Sequence, residues 1–205
     1  MTTEHHRAFE IERKYDVDAD TALPQWSGVP GVARVSDAEE RLLDARYFDT
    51  ADLVLARASV ALRRRTGGPD EGWHVKGPRQ GDGRLELSWP LGEGDEVPPA
   101  LAEAVAAWAT GPFAPIARIR NTRHAYTFFS DAGLLAEFVD DHVTATNLRT
   151  GAEQSWREWE LELGPAAPVD EAGRAAFFHA AERVLFAAGA RAAASDSKLA
   201  RALGH

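Results

Sequence analysis

The chain of 205 residues has no cysteine, one methionine and only three lysines. The absence of cysteine excludes disulfide bonds, thiolate-bound metals and a cysteine nucleophile, so any metal ion must be bound through oxygen or imidazole. The chain also lacks the roughly 18 to 20 consecutive apolar residues of a membrane-spanning helix, and its start, MTTEHHRAFE, lacks the pattern of a signal peptide. We therefore expect a cytoplasmic protein that does not associate with membranes.

The overall charge is acidic, with a formal net charge of -9 at pH 7. This balance argues against a general nucleic-acid-binding protein, because non-specific affinity for phosphate backbones comes from an excess of lysine and arginine. The basic residues are nevertheless clustered, as in the run RRR at 63–65. Lys14, Lys76 and Lys198 stand out against twenty arginines, although a compositional bias toward arginine also explains their rarity.

Alternating apolar and charged residues predict about eight antiparallel strands, and helical patterns interrupt them. The strand patterns are FEIERKYDV, ARVSDAEERLLDARYFDT, VALRRR, GWHVKGP, GRLELSWPL, APIARIRNTRHAYTFFS, GLLAEFVDDHVTATNL and SWREWELELG. Helices of different lengths are predicted at PPALAEAVAAWAT, PVDEAGRAAFFHAAERVLFAAGA and SDSKLARALG, the last with a serine or aspartate N-cap. Because there is no repeat or break in composition, we expect residues 1–205 to form a single α+β domain whose large sheet closes into a barrel.

Charged residues recur along the predicted strands at spacings that place each set on one strand face. The sets are largely sorted by sign and comprise Glu10, Glu12 and Lys14; Arg63 and Arg65; Lys76; Arg84 and Glu86; Arg118 and Arg120, with Arg123 nearby; Glu137 and Asp141; and Glu158, Glu160 and Glu162. A single such face normally lies in water on the outside of a sheet. If the sheet closes, the same pattern instead directs the charges into a wide, wet interior.

The sorting by sign fits a polyphosphate that binds together with its metal ion. Arginine and lysine donate hydrogen bonds to phosphate oxygens, whereas clustered carboxylates bind a hard cation such as Mg²⁺ or Mn²⁺. The carboxylates repel one another unless a metal ion neutralises them, and the basic residues repel one another unless phosphate does. A solvated outer face is the alternative that the sequence leaves open.

The order of these motifs resembles that of the CYTH family, also called triphosphate tunnel metalloenzymes. The resemblance is carried by EIERKY, YFDTADLVLARASVALRRR, WHVKGP, RLELSWP, EFVDDHVTA, EWELELG and SDSKLARAL, which together span nearly the whole chain. It implies an eight-stranded antiparallel tunnel that binds a small-molecule triphosphate among basic residues, with a divalent metal on the acidic side. Family members include inorganic triphosphatases, thiamine triphosphatases, a class of adenylate cyclases and RNA triphosphatases.

The resemblance also implies roles for individual residues. The phosphate-binding set is Lys14, Arg63, Arg65, Lys76, Arg84, Arg120, Arg123 and Lys198. The metal-binding set is Glu10, Glu12, Asp141, Glu158 and Glu160, with Glu86, Glu137 and Glu162 as further candidates for the site. Within these sets, Lys14, Arg65 and Glu160 are expected to be catalytic.

Two of these assignments choose between nearby residues. Arg123 fits the later arginine of the family better than Arg120 does, and the two cannot share a face unless the strand is bulged. Asp141 is preferred over Asp140 because it keeps the parity of Glu137.

The histidines give weaker signals. His74 shares the parity of Lys76, so it either contacts the ligand or is a hydrogen-bonded histidine of the barrel. For His124 and His142 no partner at ligand spacing is evident, and we predict no metal site there.

The resulting hypothesis is a metal-dependent hydrolase of inorganic triphosphate or a small organic triphosphate. Two alternatives stay open, an adenylate cyclase that converts ATP to cyclic AMP and pyrophosphate, and a non-catalytic module that binds polyphosphate or nucleotide. A helical, histidine-rich domain often follows the tunnel domain in the family, and because the sequence ends at His205 we expect this domain to act alone. The sequence indicates neither an oligomeric state nor a preference between Mg²⁺ and Mn²⁺.

Overall fold

The fold is a strongly curved antiparallel sheet with all but the last of its helices on the outside, in a computed structural model that describes residues 5–204. The strands within that range are β1 (His6–Glu10), β2 (Glu12–Val17), β3 (Arg34–Val35), β4 (Glu39–Asp49), β5 (Ala61–Thr66), β6 (Gly72–Gln80), β7 (Gly83–Trp89), β8 (Ala114–Ser130), β9 (Gly133–Asn147), β10 (Glu153–Leu163) and β11 (Arg191–Ala192). The helices are α1 (Val54–Arg57), α2 (Pro99–Ala104), α3 (Glu171–Ala187) and α4 (Lys198–Leu203). None of the helices in residues 5–204 combines the length and apolar character needed to cross a bilayer.

The sheet has the strand order β1-β7-β6-β5-β4-β8-β9-β10-β2-β11, with β3 beside β8. Its hydrogen bonds do not close the ring, but the chain does, because only Ile11 separates β1 from β2. β1 pairs with β7, where Glu10 lies opposite Arg84, and β2 pairs with β10, where Lys14 lies opposite Glu160. If β1 and β2 are counted as one interrupted strand and the two-residue β3 and β11 are set aside, eight strands surround the interior, as predicted.

Apolar residues on the outer face of the sheet pack under the helices. On one side, Phe178 and Leu185 of α3 join a buried cluster with Trp159 of β10. On the other side, Leu55 of α1 and Leu101 of α2 join a second cluster that covers β5, β6 and β7. Fully burying one such side chain stabilises the fold by about 1.5 to 3 kcal/mol. Because strand side chains alternate, this packing leaves the charged face inside.

The Tyr-Phe-Asp-Thr segment connects β4 to α1. The carboxylate of Asp49 is buried and accepts hydrogen bonds from the backbone N–H groups of Thr50, Leu55 and Ala56 at 2.7, 2.9 and 2.8 Å. These bonds satisfy amides that the first turn of a helix leaves unpaired. Two residues earlier, Tyr47 lines the interior cavity.

Helix α4 packs against the inner face of the barrel. The hydroxyl of its N-cap residue, Ser197, accepts a hydrogen bond from the N–H of Ala200 at 3.0 Å. Leu199 packs with Ile119 and other apolar residues of the inner face. The cap and this packing together hold Lys198 at the edge of the charged interior.

The helix predicted over 98–110 is shorter than expected. Regular α-helix covers Pro99–Ala104, and the chain continues as turns, with a hydrogen bond from the N–H of Trp108 to the carbonyl of Val105 at 2.9 Å. Such i→i+3 bonds belong to tighter turns than those of an α-helix. The tightening still buries Val105 and Ala109 against the second outer cluster.

Candidate functional site

The inner face of the barrel encloses a charged cavity of about 110 Å³. Seven of the eight predicted phosphate-binding residues line it, namely Lys14, Arg63, Arg65, Lys76, Arg84, Arg123 and Lys198. The carboxylates that line it include Glu10, Glu12, Glu160 and Glu162. The charges therefore converge on one enclosed space, and the alternative of a solvated outer face does not apply to them.

The two signs of charge lie largely on separate parts of the barrel wall. The basic residues come mainly from β5, β6, β7 and β8, whereas the carboxylates come mainly from β9, β10, β1 and β2. Each group of strands is nearly contiguous around the barrel, because β1 and β2 are joined through Ile11. Lys14 and Glu86 are exceptions, since each lies on a wall of the opposite sign. The cavity thus has one mainly cationic wall and one mainly anionic wall.

Asp141, Glu158 and Glu160 form the carboxylate cluster of the anionic wall. Their oxygen atoms lie within 4.8 Å of one another, and all three residues are buried. Glu158 is the cross-strand neighbour of Asp141, and Glu160 follows two residues later on the same face. Oxygen ligands gathered in this way are typical of sites for hard divalent cations.

Lysine ammonium groups lie among these carboxylates. Lys198 Nζ is 2.8 Å from Asp141 Oδ2, 2.6 Å from Glu158 Oε1 and 2.7 Å from Glu160 Oε1. Lys14 Nζ also contacts Glu160. The carboxylates thus hold positive charge at the position that a cation would take.

The electrostatics keep Asp141 and Glu160 ionised. Burial raises the pKa of Glu160, but the charges of Lys14, Lys198 and Arg123 outweigh burial and hold that pKa well below its usual range. Burial likewise opposes ionisation of Asp141, and Arg123 and Lys198 bring its pKa down to about 2. Metal ligands must be deprotonated, so these carboxylates are in the form that binds a cation.

One carboxylate oxygen of Glu158 is available to a further ligand. Its Oε1 atom is buried and accepts no well-directed hydrogen bond from residues 5–204, although Lys198 Nζ lies 2.6 Å away. A buried carboxylate oxygen with an unused lone pair is costly unless a ligand satisfies it. The donor set therefore fits Mg²⁺ or Mn²⁺, both of which prefer oxygen ligands.

Arginines crowd together on the cationic wall. Burial lowers the pKa of Arg65, and the charges of Arg63 and Arg123 lower it further, to about 9. The Nε–H groups of Arg63 and Arg65 are buried and find no acceptor among residues 5–204. Crowded cations with unused donors are stabilised by an oxyanion, and forked guanidinium groups suit phosphate in particular.

Arg123 connects the two walls. Its Nε and Nη2 atoms donate to the two oxygens of Asp141 at 2.8 and 2.7 Å, and Nη2 also donates to Glu160 at 2.8 Å. This bidentate contact fixes the carboxylate of Asp141, which is fully buried.

Two residues of the site were missed from the sequence. Tyr47 is buried in the cavity wall, where burial raises its pKa but contact with Arg63 outweighs burial and lowers that pKa below its ordinary value. Arg41 donates to both oxygens of Glu137 at 3.1 Å and lies with Glu137 and Glu162 at one mouth of the cavity. Both are odd-numbered residues of β4 and share the strand face that lines the cavity. This alternation could have identified them from the sequence.

Glu86 and His74 form a buried pair behind the cationic wall. Glu86 contacts His74 and lies 3.0 Å from Lys76 Nζ. The other ring nitrogen of His74 hydrogen-bonds the carbonyl oxygen of Asp70 at 3.0 Å. Burial lowers the pKa of His74 to about 4. Of the two interpretations of His74, the hydrogen-bonded barrel histidine is the one that the structure supports.

The remaining carboxylates are distributed around the same cavity. Glu10 lies 2.6 Å from Lys76 Nζ and Glu12 lies 3.2 Å from Lys14 Nζ, so both line the cavity but stand outside the three-carboxylate cluster. Asp141 faces inward, as preferred, whereas Asp140 faces outward and accepts hydrogen bonds from Arg157.

Arg120 requires a correction. It lies on the outer face of β8, where its side chain is 55% exposed and 3.7 Å from Glu153. The inward residues of this strand are Ile119, Asn121 and Arg123. The strand runs through this region without a bulge, so Arg120 and Arg123 cannot share a face, and Arg120 does not belong to the phosphate-binding set.

Comparison with known proteins identifies the family of the chain. A sequence profile of the CYTH domain matches residues 8–183. Two uncharacterized proteins of Mycobacterium tuberculosis, from strains CDC 1551 / Oshkosh and H37Rv, are each 41% identical to the chain over 211 residues, which is 97% of this chain and 40% of the relative. The chain thus spans about 40% of the length of the curated relatives that it matches.

Solved structures show the same fold at low sequence identity. A candidate adenylate cyclase from Bacillus halodurans aligns with a TM-score of 0.60 and 19% identity, covering 95% of this chain and 97% of that one. A protein from Pyrococcus horikoshii aligns with a TM-score of 0.56 and 16% identity, covering 95% and 98%. At these identities the likeness concerns the fold alone.

Proposed function

The chain belongs to the CYTH domain family, and on that premise we propose that it hydrolyses inorganic triphosphate or a small organic triphosphate with the help of Mg²⁺ or Mn²⁺. One observation carries the proposal. Glu160 and the crowded guanidinium groups of Arg63 and Arg65 line one enclosed cavity, and Asp141 and Glu158 offer oxygen atoms within 4.8 Å of that of Glu160. A cation and a polyanion are the ligands that neutralise these walls together.

The cationic wall binds the phosphate chain. The free Nε–H groups of Arg63 and Arg65 are available to phosphate oxygens, and Lys76 adds a point charge beside them. Arg123 is shared with Asp141 and Glu160, so it contacts phosphate at the boundary between the walls. These cations stabilise the negative charge that grows on the departing phosphate.

The anionic wall holds the cation, which when bound neutralises charge on the phosphate oxygens. The ammonium groups of Lys14 and Lys198 lie among these carboxylates, and they would be available to phosphate oxygens if the carboxylates held a cation instead. Glu160 accepts a hydrogen bond from the attacking water and orients it. A bond forms between the water oxygen and the terminal phosphorus, and the bridging P–O bond breaks with its electron pair going to the diphosphate portion, which is the leaving group. Orthophosphate and the diphosphate are the products, and one proton is released to solution.

The organic part of the substrate is the open question. A groove of about 730 Å³ borders the cavity, sharing Ala61, Arg84 and Leu199 with it. It leaves room for a group attached to the triphosphate. The structural neighbour from Bacillus halodurans is described as a candidate adenylate cyclase, and this groove is where an adenosine would lie, so ATP cyclisation is the alternative.

The test is a turnover assay with the purified chain, Mg²⁺ or Mn²⁺, and in separate reactions inorganic triphosphate, thiamine triphosphate and ATP. Released phosphate and cyclic AMP are both measured, and chelation of the metal is the control. The proposal expects metal-dependent phosphate release without cyclic AMP. Cyclic AMP from ATP favours the cyclase, and tight triphosphate binding without any turnover favours a binding module.

Variants separate the two walls. Lys14→Ala and Arg65→Ala are expected to weaken triphosphate binding measured by calorimetry, because each removes a cation of the cavity wall that the phosphates need. Glu160→Gln is expected mainly to raise the metal concentration needed for half-maximal activity. If all three variants bind and turn over like the wild type, these residues do not form the site.

A further inference from the structure

A second group of metal-ligating side chains lies on the outer face of the barrel. It consists of His124 on β8 and Asp140 and His142 on β9, whose nitrogen and oxygen atoms lie within 4.8 Å of one another. In the sheet register, His124 lies opposite Asp140 on one side and opposite Glu40 of β4 on the other. Cross-strand pairing therefore gathers residues that sequence spacing alone did not connect, and it overturns the prediction that these histidines have no partner.

The distances suit a small tetrahedral ion. His142 Nε2 is 3.5 Å from Asp140 Oδ2, and His124 Nε2 is 3.6 Å from Glu40 Oε2. Two ligands that are each about 2.0 to 2.1 Å from a tetrahedral zinc ion lie roughly 3.3 Å apart. Glu40 lies outside the group of three within 4.8 Å, so its exposed side chain has to rotate toward the other ligands to complete the set.

The base of this group is held rigidly. Asp140 is buried, and its Oδ1 accepts hydrogen bonds from Arg157 Nε at 2.7 Å and Trp159 Nε1 at 3.0 Å. Its Oδ2 accepts one from Arg157 Nη2 at 3.0 Å and keeps a second lone pair on the side of His142. Hydrogen bonds that orient a ligating carboxylate are a regular feature of protein metal sites.

The other three ligands are open to solvent. The side chains of His124, His142 and Glu40 are 33%, 47% and 62% exposed, so an ion can reach them without opening the fold. Two imidazoles and two carboxylates are a donor set for zinc, whereas the all-carboxylate cluster inside the barrel suits Mg²⁺ or Mn²⁺.

We propose that His124, His142, Asp140 and Glu40 bind a zinc ion on the outside of the barrel. The ion connects β4, β8 and β9. Because strand side chains alternate, the residues adjacent to these ligands, Arg41, Arg123 and Asp141, face inward. The zinc ion therefore holds together, from the outside, the three strands that carry Arg123 and Asp141 on their inner face.

The experiment is a zinc titration of metal-free protein, followed by calorimetry and by NMR of the histidine side chains. We expect the signals of His124 and His142 to shift together as zinc binds, while the exposed His179 of α3 stays unchanged. His124→Ala and His142→Ala are each expected to lower the zinc affinity by at least about tenfold, as loss of a ligand should exceed the loss of a supporting residue. His179→Ala is the matched control and is expected to bind like the wild type.

The result can be separated from the reaction inside the barrel. Glu160→Gln, which alters the inner carboxylate cluster, is expected to leave the zinc-induced shifts of His124 and His142 intact, whatever its effect on turnover. The thermal midpoints of the zinc-free variants show whether they fold. The proposal is overturned if zinc does not bind, if it binds without shifting these two histidine signals, or if a folded His142→Ala variant keeps the wild-type affinity.

Discussion

Removal of the guanidinium group of Arg123 tests whether the buried charges of the barrel depend on one another. Arg123 donates to both oxygens of Asp141 at 2.8 and 2.7 Å and to Glu160 at 2.8 Å. In Arg123→Met, the apolar side chain fills similar space but leaves Asp141, which is fully buried, with Lys198 as its remaining cation.

The expected magnitude follows from the loss of one partner of a buried ion pair, which destabilises a protein by about 3 to 5 kcal/mol. Since Lys198 still compensates Asp141 in part, we expect the lower half of that range. The bidentate contact is specific to arginine, so Arg123→Lys is expected to recover only part of the loss.

The assay is urea unfolding of the metal-free protein, followed by circular dichroism, together with calorimetry of triphosphate binding. Arg120→Met is the matched control on the same strand, because Arg120 lies outside the barrel and is more than half exposed; its effect is expected to stay within about 0.5 kcal/mol. Equal stability of the Arg123→Met and Arg120→Met variants, with unchanged triphosphate binding, would refute the reasoning.

Two further predictions concern stability. Burial lowers the pKa of His74 from 6.5 to about 4, so the unfolded chain takes up a proton at a higher pH than the folded protein does. The free energy of unfolding is therefore highest above pH 6.5 and is expected to decrease as the pH falls toward 4, by about 3 kcal/mol in all. His74→Gln should remove this part of the acid sensitivity in urea unfolding between pH 7 and 4.5, and an unchanged slope contradicts the assignment. Asp49→Ala removes the acceptor for the N–H groups of Leu55 and Ala56 and should cost about 2 kcal/mol. The exposed Asp52 gives the control Asp52→Ala, and equal free energies of unfolding for the two variants would show that Asp49 does not fix α1.

Strand parity predicted which arginines share one face of their strand. Alternation alone places Arg63 and Arg65 on one face, and the structure puts both in the cavity wall. The choice between Arg120 and Arg123 could not be settled in the same way, because a single bulge inverts the parity of everything beyond it. The structure resolves it, since β8 keeps its register with both neighbours around Arg123.

The sequence did not predict which residues of neighbouring strands lie opposite each other. The meeting of His124 with Asp140 depends on the register of β8 with β9, which a slip of one residue would abolish. The position of Lys198 among the carboxylates likewise depends on how α4 packs against the inner face. Local patterns identify which residues share a face, whereas tertiary packing decides which faces meet.

We propose that one cavity binds a divalent cation on its carboxylate wall and a triphosphate on its arginine wall. The most direct measurement is a crystal structure of the chain with Mn²⁺ and inorganic triphosphate, with the metal located by its anomalous scattering. We predict the anomalous peak among Asp141, Glu158 and Glu160, and phosphate oxygens within hydrogen-bonding distance of Arg63 and Arg65. Metal and triphosphate bound elsewhere, with the lysine ammonium groups still paired to these carboxylates, would contradict the account.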